Sequence, residues 1–324
     1  MENDTVVDFI PPSETEPISD CSDNIVAVIE ELATLSEPVA EEETVAEPVA
    51  EQEPVAEPIT KPPTTDPNVI PKLVFIVPYR DRKQQQHFFS NHMKMVLSDM
   101  PETDYKIYYV EQGDTRGFNR GAMKNIGFLI IRKKYPNHYK NITLVFNDVD
   151  TMPFSKNFLN YETTQNNVKH FYGYKFTLGG IVSIKAGDFE RVGGFPNFWA
   201  WGFEDNSLQR RVLAANLNID RSQFYPIMDQ NIFQMKDGIT RIVNRGEFDR
   251  YMSETNEGFS SIRDLICEVD EETGFIKVSN FQTAVPENAQ ANTVHDLRNG
   301  AKPFKTDFMP NVGKRRNPRM SMLL

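Results

Sequence analysis

The sequence predicts an α/β fold, a mostly parallel, Rossmann-like sheet flanked by helices, and three observations carry that prediction. Short continuous apolar runs alternate with stretches of helical period between residues 72 and 146. Each run is closed by proline or by polar residues, and the ends of the runs gather arginines or aspartates. Apolar runs of roughly four to eight residues, bounded in this way, fit strands buried on both faces, as parallel strands are.

The elements follow in order. Lys72-Leu73-Val74-Phe75-Ile76-Val77-Pro78-Tyr79 reads as a buried strand. Phe88, Phe89, Met93, Val96 and Leu97 then recur at helical spacing on one face. Tyr105 to Val110 is a second strand, and Ala122, Ile126, Leu129 and Ile130 trace a second helix that Pro136 stops. Ile142 to Phe146 is a third strand, delivering Asp148 and Asp150. This β-α-β-α-β order predicts parallel strands with right-handed crossovers and a ligand beyond their carboxyl ends, where 78–82, 112–120 and 148–150 fall. Leu178 to Ile184 reads as a strand entered through Gly179 and Gly180. A loop from Gly193 to Asp205 holds both tryptophans, and Leu208, Val212 and Ala215 trace a helix begun by Asp205-Asn206-Ser207. Short strands and loops are expected over 219–285.

Three regions result: a disordered acidic tail over 1–68, one domain over 69–285, and a basic, irregular tail over 286–324. Residues 1–60 hold 17 Asp and Glu with no Lys or Arg, and Glu-Pro-Val-Ala recurs at Glu37, Glu47 and Glu53. Such a composition buries too little to offset its ordering entropy. It serves as a solubilising tether or docks a basic partner. The formal charge of −11 is therefore the tail's, and the remainder is mildly basic, which suits an anionic small ligand and not a nucleic acid. Cys21 and Cys267 are the only cysteines, so no disulfide framework is expected. No apolar run is long enough for a membrane span or anchor.

Val145-Phe146-Asn147-Asp148-Val149-Asp150 is the stretch around which the chemistry is organised. If the strand continues, Asp148 and Asp150 share one face and Val149 turns to the core; otherwise the pair is a solvated turn or Asx cap that closes the strand. Two hard carboxylates suit Mn²⁺ or Mg²⁺, whose other ligands come from water and phosphate, so a nucleoside diphosphate is the expected ligand. Arg80 and Arg82 at a strand end match phosphate geometry, or are surface charges beside Asp81.

Pro78-Tyr79-Arg80-Asp81-Arg82, Phe118-Asn119-Arg120, Asp148-Val149-Asp150, Gly179-Gly180 and Trp199-Ala200-Trp201-Gly202-Phe203-Glu204-Asp205 stand in the order and approximate spacing of the β-1,4-galactosyltransferase family. The chain resembles that family over residues 72–250. The resemblance implies a GT-A fold and an inverting, metal-dependent glycosyltransferase that takes a UDP-sugar to a glycan or glycoprotein hydroxyl. It implies donor contacts from Pro78, Tyr79, Arg80, Arg82, Phe118, Arg120, Asp148, Val149, Thr177, Gly180 and Trp201, with Phe118 on uracil and Arg120 on phosphate. Asp150 and Asp148 would hold the metal. Asp205 would be the base and Glu204 would help hold the acceptor, with Trp201 and Gly202 on a closing loop and Trp199 in the core. Read without the family, Asp205 is a helix N-cap.

The chain departs from the family at three places. The family's metal-ligating His has no counterpart between His170 and His295, and Asp237 or a water is expected to replace it. The second glycine of the tryptophan block is Phe203. Thr177 stands where galactose-specific members carry a bulky Tyr, which leaves room for an N-acetyl group, so Gal, GalNAc and GlcNAc donors are all candidates. The secretory form's anchor and disulfides have no match, so a cytosolic, viral or microbial setting is expected. The alternative is a non-catalytic UDP- or glycan-binding scaffold acting through the acidic tail.

Overall fold

Alternate residues of the first apolar run face opposite sides of a sheet, and this sets the layering of the molecule. The computed structural model describes residues 69–235, 238–300 and 303–304. Strand β1 (Leu73–Tyr79) buries every side chain. Its Leu73, Phe75, Val77 and Tyr79 pack with Phe89, Met93 and Val96 of helix α1 (Lys83–Val96). Val74 and Ile76 pack on the other side with Ala122, Met123 and Ile126 of helix α2 (Arg120–Lys134). Helices thus cover both faces, the condition under which strands read as unbroken apolar runs.

Strands β2 (Tyr105–Gln112) and β3 (Thr143–Asn147) pair in parallel with opposite edges of β1. The strand order therefore reverses at β1, and the carboxyl ends of these three strands frame a crevice. On one flank β12 (Phe275–Gln282) runs parallel to β2, and β11 (Arg263–Asp270) closes the edge antiparallel to β12. On the other flank β6 (Ile181–Lys185) runs antiparallel to β3, and β5 (Asn167–Gly173) antiparallel to β6. The short strands β7 (Asn218–Asp220) and β8 (Tyr225–Pro226) lie parallel to β5 and complete a mixed sheet, nine-stranded among the described residues. Two ribbons stand apart from it: β4 (Thr151–Pro153) with β9 (Ile232–Gln234), and β10 (Thr240–Asn244) with β13 (Asn292–Asp296).

The expected strands and helices of residues 72–146 are present, and the differences lie downstream. The strand read over Leu178–Ile184 begins at Ile181 and is antiparallel. Its first residues serve instead as the approach to the crevice. Strand β5 and the short helix α3 (Ala186–Arg191) had no sequence expectation. Residues 219–285, expected as short strands and loops, also hold the eight-residue strands β11 and β12 and the helix α5 (Arg245–Met252). Strand β13 falls within 286–324, the stretch expected to be irregular, because its backbone finds a partner in β10. The acidic stretch 1–68, Asp237 and most of the basic C-terminal stretch lie outside the described residues.

Candidate active site

The antiparallel pairing of β3 and β6 builds the centre of the site. Asn147 at the end of β3 lies opposite Ile181 at the start of β6, and the Asp148 N–H donates to the Gly180 carbonyl at 3.1 Å. The carboxyl end of one strand thereby meets the segment that enters the other. Strand β3 stops at Asn147, so the condition for Asp148 and Asp150 to share a strand face is not met; they occupy a turn that closes the strand, with Thr151 N–H donating to Asp148 O at 3.1 Å. Val149 is buried as expected, and Asp148 and Asp150 are half-buried. Asp150 accepts from the Thr151 hydroxyl at 2.9 Å.

Helix α2 enters from the opposite side. Gln112 at the end of β2 accepts from Asn119 N–H at 2.8 Å and donates to Gly117 O at 2.9 Å, which folds the 113–119 loop. The Asn119 side chain caps α2 by accepting from Ala122 N–H at 2.8 Å. That sets Arg120 on the first turn, aimed at the turn after β3. Arg120 donates to Asp148 Oδ1 at 2.6 Å and to Glu204 Oε1 at 3.0 Å. Burial opposes its charge, but the carboxylates of Asp148, Glu204, Asp205 and Asp150 outweigh it and hold the guanidinium protonated well above its ordinary range.

Asn125, one turn further along α2, ties down the tryptophan loop. It donates to Phe195 O at 2.7 Å and to Asn197 Oδ1 at 2.9 Å, and accepts from Phe195 N–H at 3.0 Å. The loop reverses at Gly202 and Phe203, both at positive φ, and helix α4 (Glu204–Ala214) begins directly after. Phe203 at φ 73° bears a strain of roughly 1–2 kcal/mol. Its ring is held against Tyr251 and Phe248, 5.0 and 5.1 Å away. The N-cap is Phe203, two residues earlier than the Asp205 that the sequence suggests, and Asp205 lies inside the helix. Glu204 and Asp205 occupy the first turn, where the helix dipole favours carboxylates.

Asp205 is the most closely constrained of these groups. Its Oδ1 accepts from Lys124 Nζ at 2.8 Å, and its backbone carbonyl accepts from Leu178 N–H at 3.1 Å. A Cβ on Gly179 would lie 2.3 Å from Oδ2, so only glycine leaves space for the carboxylate there. Burial pushes the Asp205 carboxyl up to about 6, against the pull of Lys124, with Glu204 and Asp148 adding to the rise and Arg120 opposing it.

The structure therefore brings together Arg120, Asp148, Asp150, Gly180, Glu204 and Asp205. Thr177 is near them in the chain, buried, and donates through its hydroxyl to Tyr174 O at 3.2 Å. Arg80 is engaged elsewhere, donating to Asp114 O at 2.9 Å and to Arg116 O, and so holds the 113–117 loop. Pro78 and Tyr79 are buried in β1, Arg82 stands at the N-cap position of α1 without a capping side-chain hydrogen bond, and Phe118 packs on the core beside α2. Trp199 is core as expected, with its indole N–H on Thr283 and Val285. Trp201 is half-buried, with Arg241 over its ring at 5.7 Å. Sequence reasoning missed Lys124; the glycines at 179 and 180 were expected to admit a close approach of backbone or ligand, and the group that lies against Gly179 is the Asp205 carboxylate.

Among the described residues no cluster of three or more His, Cys, Asp or Glu is placed to hold a metal. The donors present fit a cation shared with a ligand: two half-buried carboxylates with oxygen atoms only, the set Mg²⁺ and Mn²⁺ take when phosphate and water complete the shell.

Two family models match the chain, one described as the N-terminal region of glycosyl transferase group 7 over residues 28–162, the other as the N-terminal domain of galactosyltransferase over residues 161–236. Mouse beta-1,4-galactosyltransferase 6 is 30% identical over 163 residues, 47% of this chain and 41% of that protein. The xylosylprotein 4-beta-galactosyltransferase of Caenorhabditis elegans is 28% identical over 179 residues, 52% of this chain and 60% of that protein. The match thus spans about two-fifths to three-fifths of these relatives' length. The catalytic domain of Drosophila beta-1,4-galactosyltransferase 7 in complex with xylobiose superposes with a TM-score of 0.52 at 18% identity, over 67% of this chain and 96% of that one. A mutant of that enzyme, crystallised with manganese, UDP-Gal and xylobiose, gives a TM-score of 0.50 at 18% identity over the same shares of the two chains. At this identity the likeness is one of fold.

Proposed function

The chain belongs to the β-1,4-galactosyltransferase family, and from that membership we propose that it is a metal-dependent, inverting glycosyltransferase acting on a UDP-sugar and a glycan or glycoprotein hydroxyl. The fold is of the GT-A type. The observation that carries the proposal is the bridge Arg120 makes between Asp148 and Glu204, which joins a diphosphate-type carboxylate site to the pair at the start of α4.

Asp205 takes the proton of the acceptor hydroxyl, the acceptor oxygen attacks the anomeric carbon from the face opposite the diphosphate, and the bond to UDP breaks. A base with a carboxyl near 6 is mostly ionised at neutral pH yet basic enough to draw a proton, a match worth about 10²–10⁴-fold. Asp148 and Asp150, with Asp237 as a further candidate, would hold a divalent cation that stabilises the departing diphosphate as a Lewis acid. Glu204 orients the acceptor while Arg120 holds it in place, and Trp201 offers a face to a sugar ring. Thr177 leaves space beside C2 of the donor sugar, which admits Gal, GalNAc or GlcNAc.

The test is UDP release from a panel of UDP-sugars with Mn²⁺, Mg²⁺ or EDTA, with and without glycan acceptors. Release from one donor, lost in EDTA, is expected. No release from any donor, together with no calorimetric binding of UDP in Mn²⁺, would overturn the proposal.

A further inference from the structure

Lys124 is a cation where a soluble helix rarely keeps one. Every residue of α2 from Gly121 to Phe128 is buried, and the Lys124 side chain is 3% exposed. A buried ammonium without a partner costs several kcal/mol, so such a lysine is neutral or tightly paired. Its contacts are the Asp205 carboxylate, with Nζ 2.8 Å from Oδ1, and the face of Phe195, whose ring centroid lies 4.4 Å from Nζ. The carboxylate is thereby fixed from two sides: Oδ1 is taken by the ammonium, and Oδ2 lies against the Gly179 backbone, whose missing Cβ leaves that space.

We infer that Lys124 is the positioning residue of the base, holding Asp205 by Oδ1 so that Oδ2 is the oxygen presented to the acceptor hydroxyl. This rests on the functional reading above. In the step it serves, the acceptor O–H bond breaks and its proton goes to Asp205 Oδ2. The acceptor oxygen bonds to the anomeric carbon, and the bond from that carbon to the diphosphate breaks, its electron pair leaving with UDP. The charges facing Asp205 are Lys124 and Arg120 on α2, Glu204 on its own helix, and Asp148 after β3; Gly179 brings none. Lys124 contributes the first opposing charge to burial, so the ammonium is what keeps a buried base ionised.

The pH profile of kcat/KM for wild type, Lys124→Met, Lys124→Gln and Lys124→Arg, over about pH 5 to 9, tests this. The neutral variants are expected to move the acid limb upward by about one unit or more and to lower kcat at neutral pH about 10-fold or more, with KM for the UDP-sugar little changed. Lys124→Arg is expected to restore the limb. Lys124→Gln keeps a polar side chain of similar reach should the Met variant fail to fold. Alongside, the Asp205 carboxyl is titrated by NMR in ¹³C-aspartate-labelled wild type and Lys124→Gln, assigned by Asp205→Asn, without substrate. Its titration is expected to rise in Lys124→Gln. An acid limb or a carboxyl titration unmoved by loss of the charge overturns the inference, whatever happens to the rate. A wild type that releases no UDP removes the functional reading, while the NMR titration still decides on the pair.

Discussion

Arg120 donates to Glu204 Oε1 at 3.0 Å from a first-turn position 84 residues earlier in the chain. The Glu204 side chain is 5% exposed, and Arg120 is the cation paired with it there. Removing one member of a buried ion pair strands the other, a loss of about 3–5 kcal/mol when burial is complete. Arg120→Met is therefore expected to cost about 3 kcal/mol, the lower end, because Arg120 itself is one-quarter exposed. Urea denaturation of the two proteins measures this. Arg120→Lys keeps a charge but has no planar fork to reach both Asp148 and Glu204, so intermediate stability is expected. Stability equal to wild type in Arg120→Met would mean that the Arg120–Glu204 pair adds nothing to folding.

The acid limb of activity is expected to have an apparent pKa near 6, set by Asp205. The sign follows from the direction of the shift: burial raises the carboxyl, so the base is lost as pH falls through about 6, well above the ordinary aspartate range. Asp205→Asn is expected to lower kcat by about 10²–10⁴-fold and to spare binding of UDP. The pH–rate profile checks the first point and calorimetry with UDP the second. A limb near pH 4 would assign the proton transfer to a different group.

The three strands and two helices of residues 72–146 were legible because each is buried on a pattern its own residues display, such as Leu73, Phe75 and Val77 on one face of β1 and Val74 and Ile76 on the other. Strand direction was not, since the composition of Ile181–Lys185 is the same whether it runs parallel or antiparallel to β3. Lys124 was missed because its partner lies 81 residues away and one lysine in a helix reads as a surface charge. A usable signal existed: Gly121 to Phe128 carry a single charge and two glycines, the composition of a helix segment buried on all sides. Asp148 and Asp150 were recognised as a pair, but the turn that aims them depends on Gly180, 32 residues downstream of Asp148.

Gly179→Ala separates geometry from folding. No positive φ is required at this residue, so alanine is acceptable to the backbone, but its Cβ would lie 2.3 Å from Asp205 Oδ2. With Oδ1 held by Lys124, the carboxylate has to shift off its position. A displacement on the order of 1 Å at a catalytic group costs about 10²-fold in rate. The expected result is a near-normal melting temperature and UDP affinity with kcat reduced about 100-fold. Unchanged kcat would mean that the Asp205 carboxylate tolerates the displacement.

His170 ties the same glycine to acid stability. Arg221 Nε donates to its Nδ1 at 3.1 Å, so Nδ1 is the acceptor and the proton sits on Nε2. That N–H faces Tyr172 O at 3.0 Å and Gly179 O at 3.2 Å, fixing the carbonyl beside Asp205. Burial, then the neighbouring Arg221 charge, press the imidazole down to about 4. Unfolded, the ring takes up its proton near 6.5, so between about 6.5 and 4 the unfolded chain binds more protons and the folded state loses stability as pH falls. The full shift is worth on the order of 3 kcal/mol. His170→Gln keeps a donor for the two carbonyls and cannot be protonated. It is expected to flatten the fall in urea-unfolding free energy between about pH 6.5 and 4, even if it lowers stability at neutral pH. An equally steep decline in the variant would place the acid sensitivity in another group and leave His170 with the carbonyl contacts alone.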